Sequence, residues 1–149
     1  MTSAMRPILR NSCAMAATAA EAQFRIDRPI GGRSAVVVAL DDDAADIVDR
    51  VAASPWQGAR FFRADDGGLV DELAGADVAI MIATSEADAE AASLIAHSCA
   101  ERGIMTAGLI LGERLHVEAA LSALRPYARN LMVTDDEEDV AAVLTALRA

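Results

Sequence analysis

The sequence predicts an α/β fold: a three-layer, doubly wound sandwich built on a mostly parallel five-stranded sheet. Three observations carry that prediction. Five apolar runs of strand length recur from Ser34 onward, each is followed by a helical pattern, and the runs lack a regular polar alternation. A continuous run of aliphatic residues needs cover on both faces, which a parallel sheet between helix layers supplies and a half-solvated antiparallel sheet does not.

The elements follow in chain order. The run "SAVVVAL" at 34–40 passes through Asp41, Asp42 and Asp43 into a helix at 43–53. The run "ARFFRA" at 59–64 leads through Asp65, Asp66, Gly67 and Gly68 to a short helix near 68–74. Next comes "DVAIMIAT" at 77–84, then Thr84, Ser85, Glu86 and Asp88, and a helix at 88–102. On that helix Ala91, Leu94, Ile95 and Cys99 are expected to share the buried side, with His97 pointing away as a surface residue. The run "MTAGLIL" at 105–111 precedes Gly112, Glu113 and a helix at 114–127. Finally "NLMVT" at 130–134 runs through Asp135, Asp136, Glu137 and Glu138 into a closing helix at 136–148. This Rossmann-like alternation needs right-handed crossovers, which bring every strand C-terminus to one edge, where open α/β sheets bind ligands. The strand order is open between 3-2-1-4-5 and 2-1-3-4-5.

The chain has 149 residues, enough for one domain with a substantial core. The expected division is an N-terminal arm over 1–33 and a single domain over 34–149. In the arm, Arg10, Asn11 and Ser12 leave only a weakly apolar alanine run, too little drive for a secretory leader. No stretch is long and apolar enough for a membrane span. Cys13 and Cys99 stand far apart with no ligand spacing around either, which reads as two free thiols and a cytoplasmic location.

Charge excludes whole classes of chemistry. All thirteen basic residues are arginine and none is lysine, so a P-loop lysine, a Schiff base and the lysine of an active receiver are absent. A net charge of −10 with no arginine cluster argues against nucleic acid and anionic lipid as partners. One Trp, one Tyr and three Phe leave little material for base stacking.

The ligand edge is acidic at every strand end. Each cluster caps a helix, because Asp, Ser and Thr accept from N-terminal N–H groups and carboxylates suit the dipole. Together they also oppose a phosphate, which needs those N–H groups bare and usually glycines around them. Neither GxGxxG nor GxxxxGK[ST] occurs. No cofactor is expected, with Mg²⁺ the one candidate: Asp41, Asp42 and Asp43 are the candidate metal ligands, and Thr84 and Ser85 the candidate cofactor-binding residues beside them.

From Asp77 onward the pattern resembles the tubulin/FtsZ GTPase domain. "RGIMTAGLIL" matches its middle strand, and "ALSALRPYARNLMVTDD" the helix and strand that follow. Where that family has glycine-rich phosphate loops, this chain has Asp41 to Asp43 and the segment Thr84 to Glu90. The resemblance thus implies an FtsZ-like domain without GTP hydrolysis. "VVVALDDDAADIV" also resembles the start of a response-regulator receiver domain, whose acidic pair helps bind Mg²⁺. The third strand offers no phospho-acceptor aspartate, so only a degenerate receiver fits. A phosphatase-type DxDx[TV] pattern meets Asp41 and Asp43 but has Ala45 in its last place.

Two function classes follow. One is a non-catalytic module acting through a protein partner, first of all a second copy in a homodimer, with Met5, Ile8, Leu9, Met15 and Phe24 of the arm as apolar contacts. The other is a small enzyme or sensor with a divalent metal at the acidic edge.

Overall fold

Five strands stack side by side in the computed structural model, which describes residues 33–149; the three inner ones are largely buried, whereas the edge strands at 59–63 and 130–134 are only partly covered, contrary to the expectation of cover on both faces for every run. The expected arm, with its apolar contacts and Cys13, lies outside the described residues except for Arg33. The described residues, 33–149, belong to one compact unit.

Strand β1 (Ala35–Ala39) leads to helix α1 (Asp42–Ala52), β2 (Ala59–Arg63) to α2 (Leu69–Leu73), and β3 (Val78–Ala83) to α3 (Ala89–Arg102). Strand β4 (Met105–Leu111) is followed by a 3₁₀ turn at Arg114–His116 and then by α4 (Glu118–Leu124). Strand β5 (Asn130–Thr134) and helix α5 (Glu138–Ala146) close the unit. All four strand pairings are parallel. The order is β2-β1-β3-β4-β5, the flavodoxin-like variety of a doubly wound sheet.

Every residue of β1 and β3 is buried. Their alternate side chains divide the core into two clusters, one on each face of the sheet. One face holds Val36, Val38, Ala79, Met81 and Ile110 under α2, α3 and α4, through Leu73, Ile95 and Leu124. The other holds Val37, Ile80, Ile82 and Leu109 under α1 and α5, through Val48, Val51, Val140 and Leu144. Helix α1 presents Ala44, Ala45, Ile47, Val48 and Val51 to the sheet, a stripe one face wide at a period of 3.6.

Two details of the helices depart from the expectation. Leu94 is 54% exposed, while Ala91, Ala92, Ile95, Ser98 and Cys99 are buried. At about 100° per residue the buried stripe centres on Ile95, and Leu94 falls one step outside it. The helix expected at 114–127 is broken into a 3₁₀ turn and a short α-helix. Val117 occupies the N-cap position without any side-chain acceptor, so nothing local fixes an α-helical start further upstream.

Where the chain must pass close to itself, glycine stands. A Cβ on Gly58 would lie 2.5 Å from the Arg33 carbonyl oxygen, a backbone atom that cannot turn aside. Helix α3 ends at Gly103 with φ 67°, where Gly103 N–H donates to Ala100 and Ile104 N–H to Cys99, the paired bonds of a left-handed glycine stop.

Candidate functional site

In a 2-1-3-4-5 sheet the connections diverge at β1 and β3, so the crevice for a ligand lies beyond the C-termini of those two strands. Asp41 follows β1 and Thr84 follows β3, which puts the candidate residues at that position.

The two are bonded to each other. Asp41 Oδ2 accepts from Thr84 N–H at 2.7 Å, and Asp41 Oδ1 accepts from the Thr84 hydroxyl at 2.8 Å. Oδ1 also accepts from Ala44 N–H at 2.7 Å, which makes Asp41 the N-cap of α1. One carboxylate thus caps a helix and ties the ends of two central strands. Around it, Leu40 N–H donates to Ile82 and Leu40 carbonyl accepts from Asp88 N–H. The N–H groups of Ala44, Thr84 and Asp88 at the mouth of the crevice thus already have acceptors within the chain.

Asp42 and Asp43 are exposed in the first turn of α1, where they favour the positive end of the dipole. Ser85 is exposed in the loop after β3. Asp88 caps α3 by accepting from Ala91 N–H at 3.0 Å. The structure therefore brings Asp41 and Thr84 together, and leaves Asp42, Asp43 and Ser85 facing solvent. Among the described residues no group of three or more His, Cys, Asp or Glu side chains converges where one ion could be held.

The ends of β2 and β5 carry local carboxylate contacts instead, and there, as after β4, no side chain among the described residues caps the helix that follows, contrary to the expectation for these clusters. Asp66 accepts from Arg63 N–H at 2.7 Å. Asp136 accepts from Glu138 N–H at 2.9 Å, and the Thr134 hydroxyl bonds to Asp139. Glu137 forms a two-pronged pair with Arg50, at 2.7 and 3.1 Å, linking the loop after β5 to the end of α1. That bond holds the Glu137 carboxyl below the usual carboxylate range and raises Arg50 above its ordinary value. Only the capping contacts have a sequence signal, a carboxylate three residues before the N–H that it meets. The contacts Asp41 to Thr84 and Arg50 to Glu137 span 43 and 87 residues and have none.

Two surface cavities lie along α3. One of about 480 Å³ runs along α3, between Ala89, Ser93, Leu94 and His97 and the ring of Tyr127. A second of about 700 Å³ continues from His97 and Tyr127 past Ile104 and Met105 to Arg129. Among the described residues His97 has no ion pair, and its Nδ1 is 2.7 Å from the Ser93 carbonyl, which only an N–H on that nitrogen can satisfy. Cys99 is a free, buried thiol whose burial pushes its pKa up, a packing residue rather than a nucleophile.

No protein-family model matches this chain, and no curated protein matches it either. Among the described residues no helix is long and apolar enough to cross a membrane.

Proposed function

We propose that this chain is a non-catalytic Rossmann-like module, FtsZ-like in pattern and without GTPase activity, that works by protein–protein association, first of all as a homodimer. The observation that supports this reading is that Asp41 engages the N–H groups of Ala44 and Thr84 at the switch point. A nucleotide at that edge would need the N–H groups of Ala44 and Thr84 for its phosphates, and both already donate to a fixed carboxylate. Replacing that carboxylate by a phosphate would break three hydrogen bonds and set the anion beside Asp42 and Asp43. The flavodoxin-like strand order is also the one receiver domains use, which keeps a degenerate receiver beside the FtsZ-like reading.

The test is calorimetric titration with GTP and GDP, with and without Mg²⁺, joined to light scattering of the full chain. The expected result is no saturable micromolar nucleotide binding and a dimer mass at micromolar protein. Saturable GTP binding, or a monomer mass at high concentration, would remove the corresponding half of the reading.

A second reading, a divalent-cation site, rests on the two exposed carboxylates of Asp42 and Asp43. Among the described residues neither is engaged in a hydrogen bond or ion pair. Mg²⁺ takes one or two carboxylates and completes its shell with water, so such a site needs little more.

A further inference from the structure

A sheet that ends in an unpaired strand offers a row of free N–H and C=O groups, and among the described residues this sheet has two such ends, β2 and β5. They are not alike. Strand β2 carries Arg60 and Arg63, paired with Glu72 at 2.6 Å and Asp49 at 3.2 Å, and charge on an edge discourages further pairing. Strand β5 reads Asn130-Leu131-Met132-Val133-Thr134, with no charge, no proline and no glycine. In a chain of net charge −10, a neutral edge is where a second copy meets least repulsion.

The register of β5 is also self-complementary. Thr134 carbonyl accepts from Gly112 N–H, so Thr134 turns its backbone groups toward β4. Alternation then turns Met132 the same way, and sends the N–H and C=O groups of Leu131 and Val133 to the open edge. Those two residues flank Met132 symmetrically. A twofold axis at Met132 sets Leu131 of one chain opposite Val133 of the other, twice, with both N–H···O bonds exchanged in each pair. Met132 then meets its own copy as a non-hydrogen-bonded pair, Cα atoms about 4.5 Å apart and side chains on one face. That face is short of cover. Met132 is 44% exposed, and Met105 at the start of β4 is 45% exposed on the same side of the sheet.

We propose that β5 is the dimer interface, pairing antiparallel with β5 of a second copy about a twofold at Met132 to give one continuous ten-stranded sheet. This rests on the reading of the chain as a self-associating module and names the surface. A twofold contact needs only one self-complementary patch, and here the strand centre, the free backbone groups and the exposed methionine coincide.

The test places a thiol at the axis. Full-length Met132→Cys should oxidise to a covalent dimer well beyond the level of the wild-type chain treated alike, because a non-hydrogen-bonded pair meets the Cα spacing of a disulfide. Val133→Cys should not, since its opposite is Leu131. By light scattering, Met132→Glu should weaken the dimer roughly tenfold or more, as like charges face each other across the axis. A wild-type dimer that Met132→Glu leaves intact and Met132→Cys fails to link overturns this interface but not association itself. A wild-type chain that is monomeric throughout overturns both. Circular dichroism of Met132→Cys guards against misfolding, and linkage in a folded variant decides the matter whatever Met132→Glu does to stability.

Discussion

The carboxylate of Asp41 holds both the N–H and the hydroxyl of Thr84, at 2.7 and 2.8 Å, across 43 residues of sequence. Asp41 and Thr84 follow the adjacent inner strands β1 and β3, so this contact joins the two strand ends at the point where the connections diverge. It also explains why three consecutive aspartates have unequal roles. The first is a structural tie, and the next two are solvated charges at a helix start.

That inequality sets the first prediction. Asp41→Ala removes the α1 cap, worth about 1 kcal/mol, and leaves the half-buried Thr84 N–H without its acceptor, a further 1–3 kcal/mol or so. The expected loss in urea unfolding is about 2–4 kcal/mol. Asp42→Ala touches only the dipole and should cost about 0.3–1 kcal/mol. Asp41→Asn should fall between them, because one amide oxygen can serve Ala44 or Thr84 N–H but its nitrogen then opposes the other donor. Equal losses for Asp41→Ala and Asp42→Ala would deny Asp41 this role.

How much of this was legible in the sequence depends on the range of the interaction. The strands at 105–111 and 130–134 have the bounds that continuous apolar runs predict, and the other three differ by a residue or so at an end. The inner strands are buried along most of their length, and the partly exposed edge strands still stand out as short apolar runs between turn residues, so length and composition suffice. The start of α4 was hidden because Val117 is no cap, and Leu94 was misplaced because an apolar residue one step off the stripe looks like part of it. The site was legible in place, since all parallel strands end at one edge, but not in its bonding. A contact such as Asp41 to Thr84 depends on which strands are neighbours, and strand order leaves no trace in the periodicity of any one strand.

The second prediction uses the pair between Arg50 and Glu137. The hydrogen bond from Arg50 lowers the folded-state pKa of Glu137 below its unfolded value of about 4.3. A lowered carboxyl pKa contributes stability that is fully present above the unfolded value and is lost as pH falls through the folded one. Glu137→Gln should therefore be less stable than wild type at neutral pH, and the gap should close as pH falls through the lowered folded-state value. Both side chains are largely exposed, 60% and 41%, so the gap should be small and should shrink in high salt. Paired urea titrations at neutral and acid pH measure it. A gap unchanged by pH would assign the effect to packing instead of charge.

The last prediction concerns cations at the acidic edge. If Asp42 and Asp43 bind a divalent ion, ligand linkage requires that the folded state gain stability as the ion rises above its dissociation constant. Carboxylates that sit together without an ion also repel, so removing them should relieve the metal-free protein as well as abolish any ion effect. Thermal midpoints with and without millimolar Mg²⁺ or Ca²⁺ separate these cases, in wild type and in the Asp42→Ala plus Asp43→Ala double variant. With Asp41 committed to Ala44 and Thr84, only two adjacent and exposed carboxylates remain for a cation, and these can outcompete water only weakly. The expected outcome is a midpoint insensitive to either ion beyond the general effect of ionic strength, matched with a monovalent salt. A rise specific to the divalent ion and lost in the double variant would instead make Asp42 and Asp43 ligands, and the second functional reading would displace the first. A rise that survives the double variant would put the ion at another strand end, with Asp65 or Asp135 as the next carboxylates to replace.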